Sequence, residues 1–286
     1  MFRLLRPLHL LLAALTYSFG ASLADYLGRS INLISFWLGL FIVLLAQATM
    51  SLLADVFRLD AEPLLENETR TQRQILRNNI LYTSLACVAV VSFAVYVLFA
   101  GDRISLSSLL FLLLSALIVI VYSVPPFRFV NRGAGEFLLA VHLAYVIPSV
   151  SFTLQAGEAH RFLVLTIPLT FLAFSYFIAN TFPSFLQDQI RNRVTFLVRL
   201  GWERVVPVHH AFVLIAYALF LMSPSFGLPL ALIWSAFLTL PFAVFQIFLL
   251  RNIAIGAKPN WTLLHTASLA VFGLTTYFLT LTFWLR

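Results

Sequence analysis

The sequence predicts an all-α, polytopic membrane protein with nine transmembrane helices, arranged as two four-helix repeats plus one. Three observations predict it. The 286-residue chain is 61% apolar and only 10% charged, whereas a soluble domain carries about a quarter charged residues. Such a chain cannot hide its apolar surface in its own core, so the bilayer must be its solvent. Nine apolar runs are long enough to span, at roughly 8–27, 32–57, 78–100, 105–123, 135–156, 162–182, 206–222, 226–250 and 262–285. Finally, one spacing of 133 residues relates Gln47 to Asn180, Ser51 to Ser184, Asp55 to Asp188 and Pro126 to Pro259.

The first run follows Arg3 and Arg6 and ends near small residues, as a signal peptide would. Eight further spans follow, so an uncleaved first helix is the expectation. The connections after the second and sixth spans are long and charged, over 58–77 and 183–205, and those after the fourth and eighth carry Pro125-Pro126 and Lys258-Pro259. The others are short. Spans one to four and five to eight thus read as two copies, with the ninth added, and the whole chain 1–286 as one transmembrane domain. Repeats of this kind place a ligand site between them.

Charge sets the orientation. With the N-terminus in the cytoplasm, the inner segments hold 14 of the 18 Lys and Arg, leaving Arg29, Arg103, Arg161 and Arg286 outside. The positive-inside rule therefore expects a cytoplasmic N-terminus and an external C-terminus in an inner membrane. The net charge of +7 suits anionic lipid head groups. It is not a nucleic-acid footprint, because the arginines are spread over separate loops. Cys87 is the sole cysteine, so the chain has no internal disulfide.

Polar residues mark the candidate site. Gln47, Ser51 and Asp55 are four apart and share a helix face, and Asn180, Ser184 and Asp188 repeat that spacing. Polar stripes in membrane helices face a bundle interior or water. Two of them converging on carboxylates predict a polar cavity, against the alternative that they join helices by hydrogen bonds. Glu62 follows Asp55 by seven residues, close to two helical turns. Arg58, Arg191 and Arg193 flank the acids. Carboxylates that can take Mg²⁺ with substrate phosphates, beside arginines suited to phosphate oxygens, are what a diphosphate needs; the alternative is a solvated loop whose arginines serve topology. A third element, Tyr122-Ser-Val-Pro-Pro-Phe-Arg128-Phe-Val-Asn-Arg132-Gly133-Ala-Gly135-Glu136, reads as a rigid basic hairpin between helices. His209-His210 point about 100° apart on a helix and make poor joint ligands. They read as interface polar residues, as does His142.

Together these three segments resemble the UbiA superfamily of intramembrane prenyltransferases, closest to its menaquinone-type branch. Tyr122–Glu136 is similar to that family's Tyr-Ser/Thr-x-Pro-Pro-x-Arg-Leu…Arg-Gly-x-Gly-Glu signature. Asn180–Asp188, with Thr195-Phe-Leu-Val-Arg199-Leu-Gly201, resembles its second Asp-rich motif and following tail. Gln47–Glu62 falls where the first belongs. The resemblance implies Mg²⁺-assisted loss of diphosphate from a polyprenyl donor and alkylation of an aromatic, quinone-precursor-like acceptor. It implies catalysis by Asp55 and Asp188 and metal binding by Asp55, Glu62 and Asp188. Substrate contacts would come from Gln47, Ser51, Arg58, Tyr122, Arg128, Arg132, Asn180, Ser184, Arg191 and Arg193.

The motifs depart from the pattern. The first, Asn-x-x-Asn-Asp-x-x-Asp-x-x-x-Asp in the family, here has Ser51, Ala54, Asp55, Arg58 and Glu62, and the first Asp of the second motif is Ser184. A cation in place of a carboxylate about 4 Å from a metal costs on the order of 4 kcal/mol at an effective dielectric near 20. The competing expectation is therefore a non-catalytic relative that binds an isoprenoid lipid, quinone or pigment, or serves as a subunit of a larger membrane complex.

Overall fold

The computed structural model describes residues 2–59, 61–64 and 68–286, with side chains from residue 4 onward. Arg3, counted above among the inner cations, has its side chain outside the described set. Among the described residues the chain is helical without strands, and nine helices are long and apolar enough to cross a membrane: α1 Pro7–Tyr26, α2 Leu33–Val56, α3 Arg70–Ala100, α4 Leu106–Ser123, α5 Gly135–Ala156, α6 Arg161–Ile190, α7 Trp202–Leu221, α8 Leu230–Ala254 and α9 Trp261–Trp284.

Local chemistry sets most of the starts. Pro7 opens α1, where its missing N–H costs nothing. Asn32, Ser105 and Asn260 each accept a backbone N–H at the head of α2, α4 and α9. Thr69 and Gln72 form a reciprocal capping box at α3. That box explains why α3 starts eight residues before the apolar run expected at 78: its first turns are helical but polar, and hydropathy does not see them. The sixth span also overruns. Pro183 does not end it, because a 3₁₀ turn over Phe182–Ser184 takes up the proline and the helix resumes through Ile190. Part of the loop expected over 183–205 is thus helix, and Asp188 rides on it. Turns of π-helix widen α5 at His142–Val146 and α9 at Ala270–Leu274.

Helices α1, α5 and α6 form the centre of the bundle. α1 packs on α2, α5 and α9, while α6 packs on α5, α7 and α9. The spanning windows of α5 and α6 are 78% buried against 17% for α3, so α3 stands at the rim beside α2. Close approach at the centre depends on a small residue: a Cβ on Gly20 of α1 would lie 2.0 Å from the Pro148 carbonyl oxygen of α5. Small residues let membrane helices pack backbone to backbone. Gly20→Ala should therefore lower the unfolding temperature in detergent, by a free energy of ~1–3 kcal/mol. Gly273→Ala should change little, because its Cβ would meet only side-chain carbons of Leu269 and Leu12, at 3.7 and 3.8 Å.

Candidate functional site

A cavity of about 620 Å³ opens at the end of the bundle where α1 begins and α2, α4 and α6 finish. α1 brings Arg6 and His9 to its wall, and α4 brings Tyr122. α6 supplies Tyr176, Asn180, Ser184 and Asp188, one face of a helix four residues at a time. Arg193, from the connection after α6, His265, from α9, and Glu136, at the head of α5, add to the polar lining. Leu139 and Phe177 contribute apolar wall.

The acids at this mouth are buried and held by arginines. Asp55 is 1% exposed. Its Oδ1 accepts from Arg58 Nε at 2.9 Å and lies 2.8 Å from Arg58 Nη2, with Arg6 at 3.7 Å. Asp188 is 4% exposed; its Oδ2 accepts from the Ser184 hydroxyl at 2.7 Å. Arg193 stands between two acids, with Nη1 3.7 Å from Asp188 and Nε 3.9 Å from Glu62. A small recess of about 10 Å³ continues past Arg193, lined by Arg6, Asp55, Arg58, Glu62 and Arg128. Cations outnumber acids there. Burial pushes the Arg128 guanidinium below its ordinary value; Glu62 opposes this, while Arg193, Arg77 and Arg58 add to it. Burial also opposes the charge of Arg6, yet Tyr122, Asp55 and Glu62 hold it above its ordinary value. Crowded, partly desolvated guanidiniums beside a cavity favour an anion.

Among the described residues no three His, Cys, Asp or Glu side chains converge as a cation cage. The donors are nevertheless hard carboxylate oxygens, and two buried ones, Asp55 Oδ2 and Glu62 Oε1, lack a hydrogen-bond partner. That set fits an ion such as Mg²⁺ that takes one or two carboxylates and fills its shell with phosphates and water.

The structure brings together Tyr122, Asn180, Ser184, Asp188 and Arg193 at the cavity, and Asp55, Arg58, Glu62 and Arg128 at the recess. It does not bring the rest. Gln47 is sealed inside the bundle: its Oε1 accepts from His142 Nδ1 at 3.0 Å, and His142 Nε2 meets Ser115 Oγ at 2.9 Å. Ser51 turns back to the Gln47 carbonyl at 3.2 Å. For Gln47 the helix-joining alternative describes the geometry, while Ser51 bonds only within α2. Arg132 donates to the Pro126 carbonyl at 2.6 Å at the surface, and neither it nor Arg191 lines either space. His209 meets Gln246 of α8 at 2.7 Å, an interface contact as expected.

Sequence reasoning missed Arg6, His9, Tyr176 and His265. Arg6 was absorbed into the topology count, and a single histidine in an apolar run carries no spacing signal. One signal existed for His9, since the 133-residue offset relates it to His142. Because Gln47 is sealed, Gln47→Leu should cost ~1–3 kcal/mol by stranding His142. Thermal unfolding in detergent reads this, and anion binding at the mouth should persist.

No protein-family profile and no curated protein matches this chain. Solved structures do. A UbiA homologue from Archaeoglobus fulgidus bound to DMAPP and Mg²⁺ superposes with a TM-score of 0.64 at 19% identity, covering 97% of this chain and 98% of that one. The same homologue bound to GPP and Mg²⁺ gives 0.64 at 17%, with coverage of 97% and 98%. A digeranylgeranylglyceryl phosphate synthase gives 0.62 at 16%, covering 97% of this chain and 92% of that one. The chain is an integral membrane protein with the fold of the UbiA prenyltransferase homologues.

Proposed function

We propose that the protein transfers a prenyl group from its diphosphate to an aromatic, quinone-precursor-like acceptor. The observation that carries this reading is the cavity itself. It has a cationic mouth holding the Asp188–Arg193–Glu62 bridge, an apolar wall beyond it, and a fold whose solved examples hold DMAPP or GPP with Mg²⁺. The 14-to-4 distribution of basic residues supports a mouth on the cytoplasmic face of an inner membrane and an external C-terminus.

Each residue has a task that its position supports. Arg193 and Arg6 take phosphate oxygens at the cavity, and Arg58 and Arg128, in the recess behind, add positive potential. Such fixed donors stabilise charge that develops on a leaving diphosphate. Tyr122 and Ser184 orient the head group, and Leu139 and Phe177 flank the start of the prenyl tail. Mg²⁺ carried on the diphosphate would meet Asp188 at the cavity wall, with Glu62 across Arg193 as a second carboxylate, and when bound would supply further charge neutralisation. Asp55 works largely through Arg58, whose guanidinium it fixes.

A second reading keeps the isoprenoid site without the chemistry. It is favoured by one observation: Arg58 occupies Asp55 Oδ1 in the segment where the family's first motif places metal ligands. One assay separates the two. Purified protein is given geranyl diphosphate and a panel of aromatic acceptors, with Mg²⁺ or with EDTA, and diphosphate is measured. The transferase reading expects Mg²⁺-dependent release, falling about 10²-fold or more in Arg193→Gln and Asp188→Asn. Asp55→Asn should cost less. Retention of the isoprenoid with no release under any condition would establish the second reading.

A further inference from the structure

An amide–imidazole pair occurs twice, where each four-helix unit meets the helix that follows it, and the two pairs differ in their surroundings. In the first, the amide of Gln47 on α2 holds Nδ1 of His142 on α5, and Ser115 on α4 fills Nε2 at 2.9 Å. All three are buried. In the second, Asn180 on α6 stands where Gln47 stands in the first, 133 residues on. Its amide oxygen holds Nδ1 of His265 on α9, the helix that follows the second repeat as α5 follows the first. An amide oxygen only accepts, so Nδ1 of each ring carries the proton and Nε2 presents a lone pair.

The difference lies in what meets that lone pair. His142 Nε2 is capped by a serine. Among the described residues His265 Nε2 has no hydrogen-bond partner, and the side chain lines the 620 Å³ cavity that also contains Asp188 and Arg193. The Tyr176 ring lies 6.0 Å from the imidazole, tilted by 42°. Trp261, one turn earlier on α9, adds a second aromatic wall. A fixed acceptor beside two aromatic side chains suits a planar aromatic alcohol, stacked on those side chains and donating its O–H.

We propose that His265, oriented by Asn180, is the residue that receives the hydroxyl of the aromatic acceptor and takes its proton during transfer. This rests on the prenyltransferase reading and names its acceptor subsite. As the ring carbon bonds to the prenyl carbon, the C–O bond to the diphosphate breaks and its electron pair leaves on the diphosphate. The hydroxyl proton passes to Nε2. The ring then sheds its C–H proton to water, and the oxygen recovers the proton from the imidazolium. One proton is released overall.

The test compares 4-propylphenol with propylbenzene, which differ only in the hydroxyl, by calorimetric titration of the detergent-solubilised full chain. Wild-type protein should prefer the phenol by about tenfold, the worth of one hydrogen bond. His265→Phe should bring the ratio close to one while leaving geranyl diphosphate binding unchanged. A ratio unmoved by His265→Phe overturns the proposal, as does a variant that loses geranyl diphosphate binding in parallel. The ¹⁵N shifts of labelled histidine in the unaltered protein provide a measurement that needs no variant. They should show a protonated Nδ1 and a bare Nε2 that moves on adding the phenol; the opposite tautomer at His265 overturns the assignment. Failure of wild-type protein to bind geranyl diphosphate would sink the prenyltransferase reading instead, because the phenol preference is measured without a donor.

Discussion

Arg193 stands 3.7 Å from Asp188 and 3.9 Å from Glu62, and the organisation of the mouth depends on that bridge. It joins the connection after α6 to the connection after α2, so the two charged connections meet at one guanidinium. Backbone contacts fix it in place: the Arg193 N–H donates to the Asp188 carbonyl at 2.9 Å, and the Gly133 N–H donates to Val194 at 2.7 Å. Glu136 accepts the Phe196 N–H at 3.2 Å, which ties the same connection to the head of α5. Carboxylates buried this far from water need cationic partners. Arginine is the partner the chain itself provides.

The bridge gives the site a built-in anion preference. In the recess Arg6, Arg58, Arg128 and Arg193 face Asp55 and Glu62, and burial strengthens every one of these interactions relative to water. A diphosphate arriving at the adjoining cavity would meet Arg6 and Arg193 already positioned, so little reorganisation is required. On the proposed reading a metal ion completes this charge balance in company with the substrate, and the protein contributes only part of its shell.

The repeat was legible in the sequence because a helix turns polar residues spaced by four onto one face, and because one offset relates two such sets. Composition made the nine spans legible, since apolar length is what a bilayer demands. What hydropathy could not show was helix extending beyond the apolar runs. The capping box at Thr69 and the resumption after Pro183 both add polar helix, and the second carries Asp188 into the cavity wall. The two stripes also looked alike in sequence while their surroundings differ. Gln47 is closed in by His142 and Ser115, whereas Asn180 and His265 open on the cavity. That distinction resides in α4, α5, α8 and α9, far along the chain from either stripe, and only packing reveals it.

The central claim is that the arginine-bridged mouth seats a prenyl diphosphate with its tail running into the bundle. The most direct measurement is a cryo-electron microscopy structure of the protein with geranyl S-thiolodiphosphate, a donor analogue whose bridging sulfur slows departure of the diphosphate. The account predicts diphosphate density in contact with Arg193 and Arg6 beside Asp188, and tail density passing Leu139 and Phe177. Saturating analogue with an empty mouth, or density lodged elsewhere on the molecule, would contradict it.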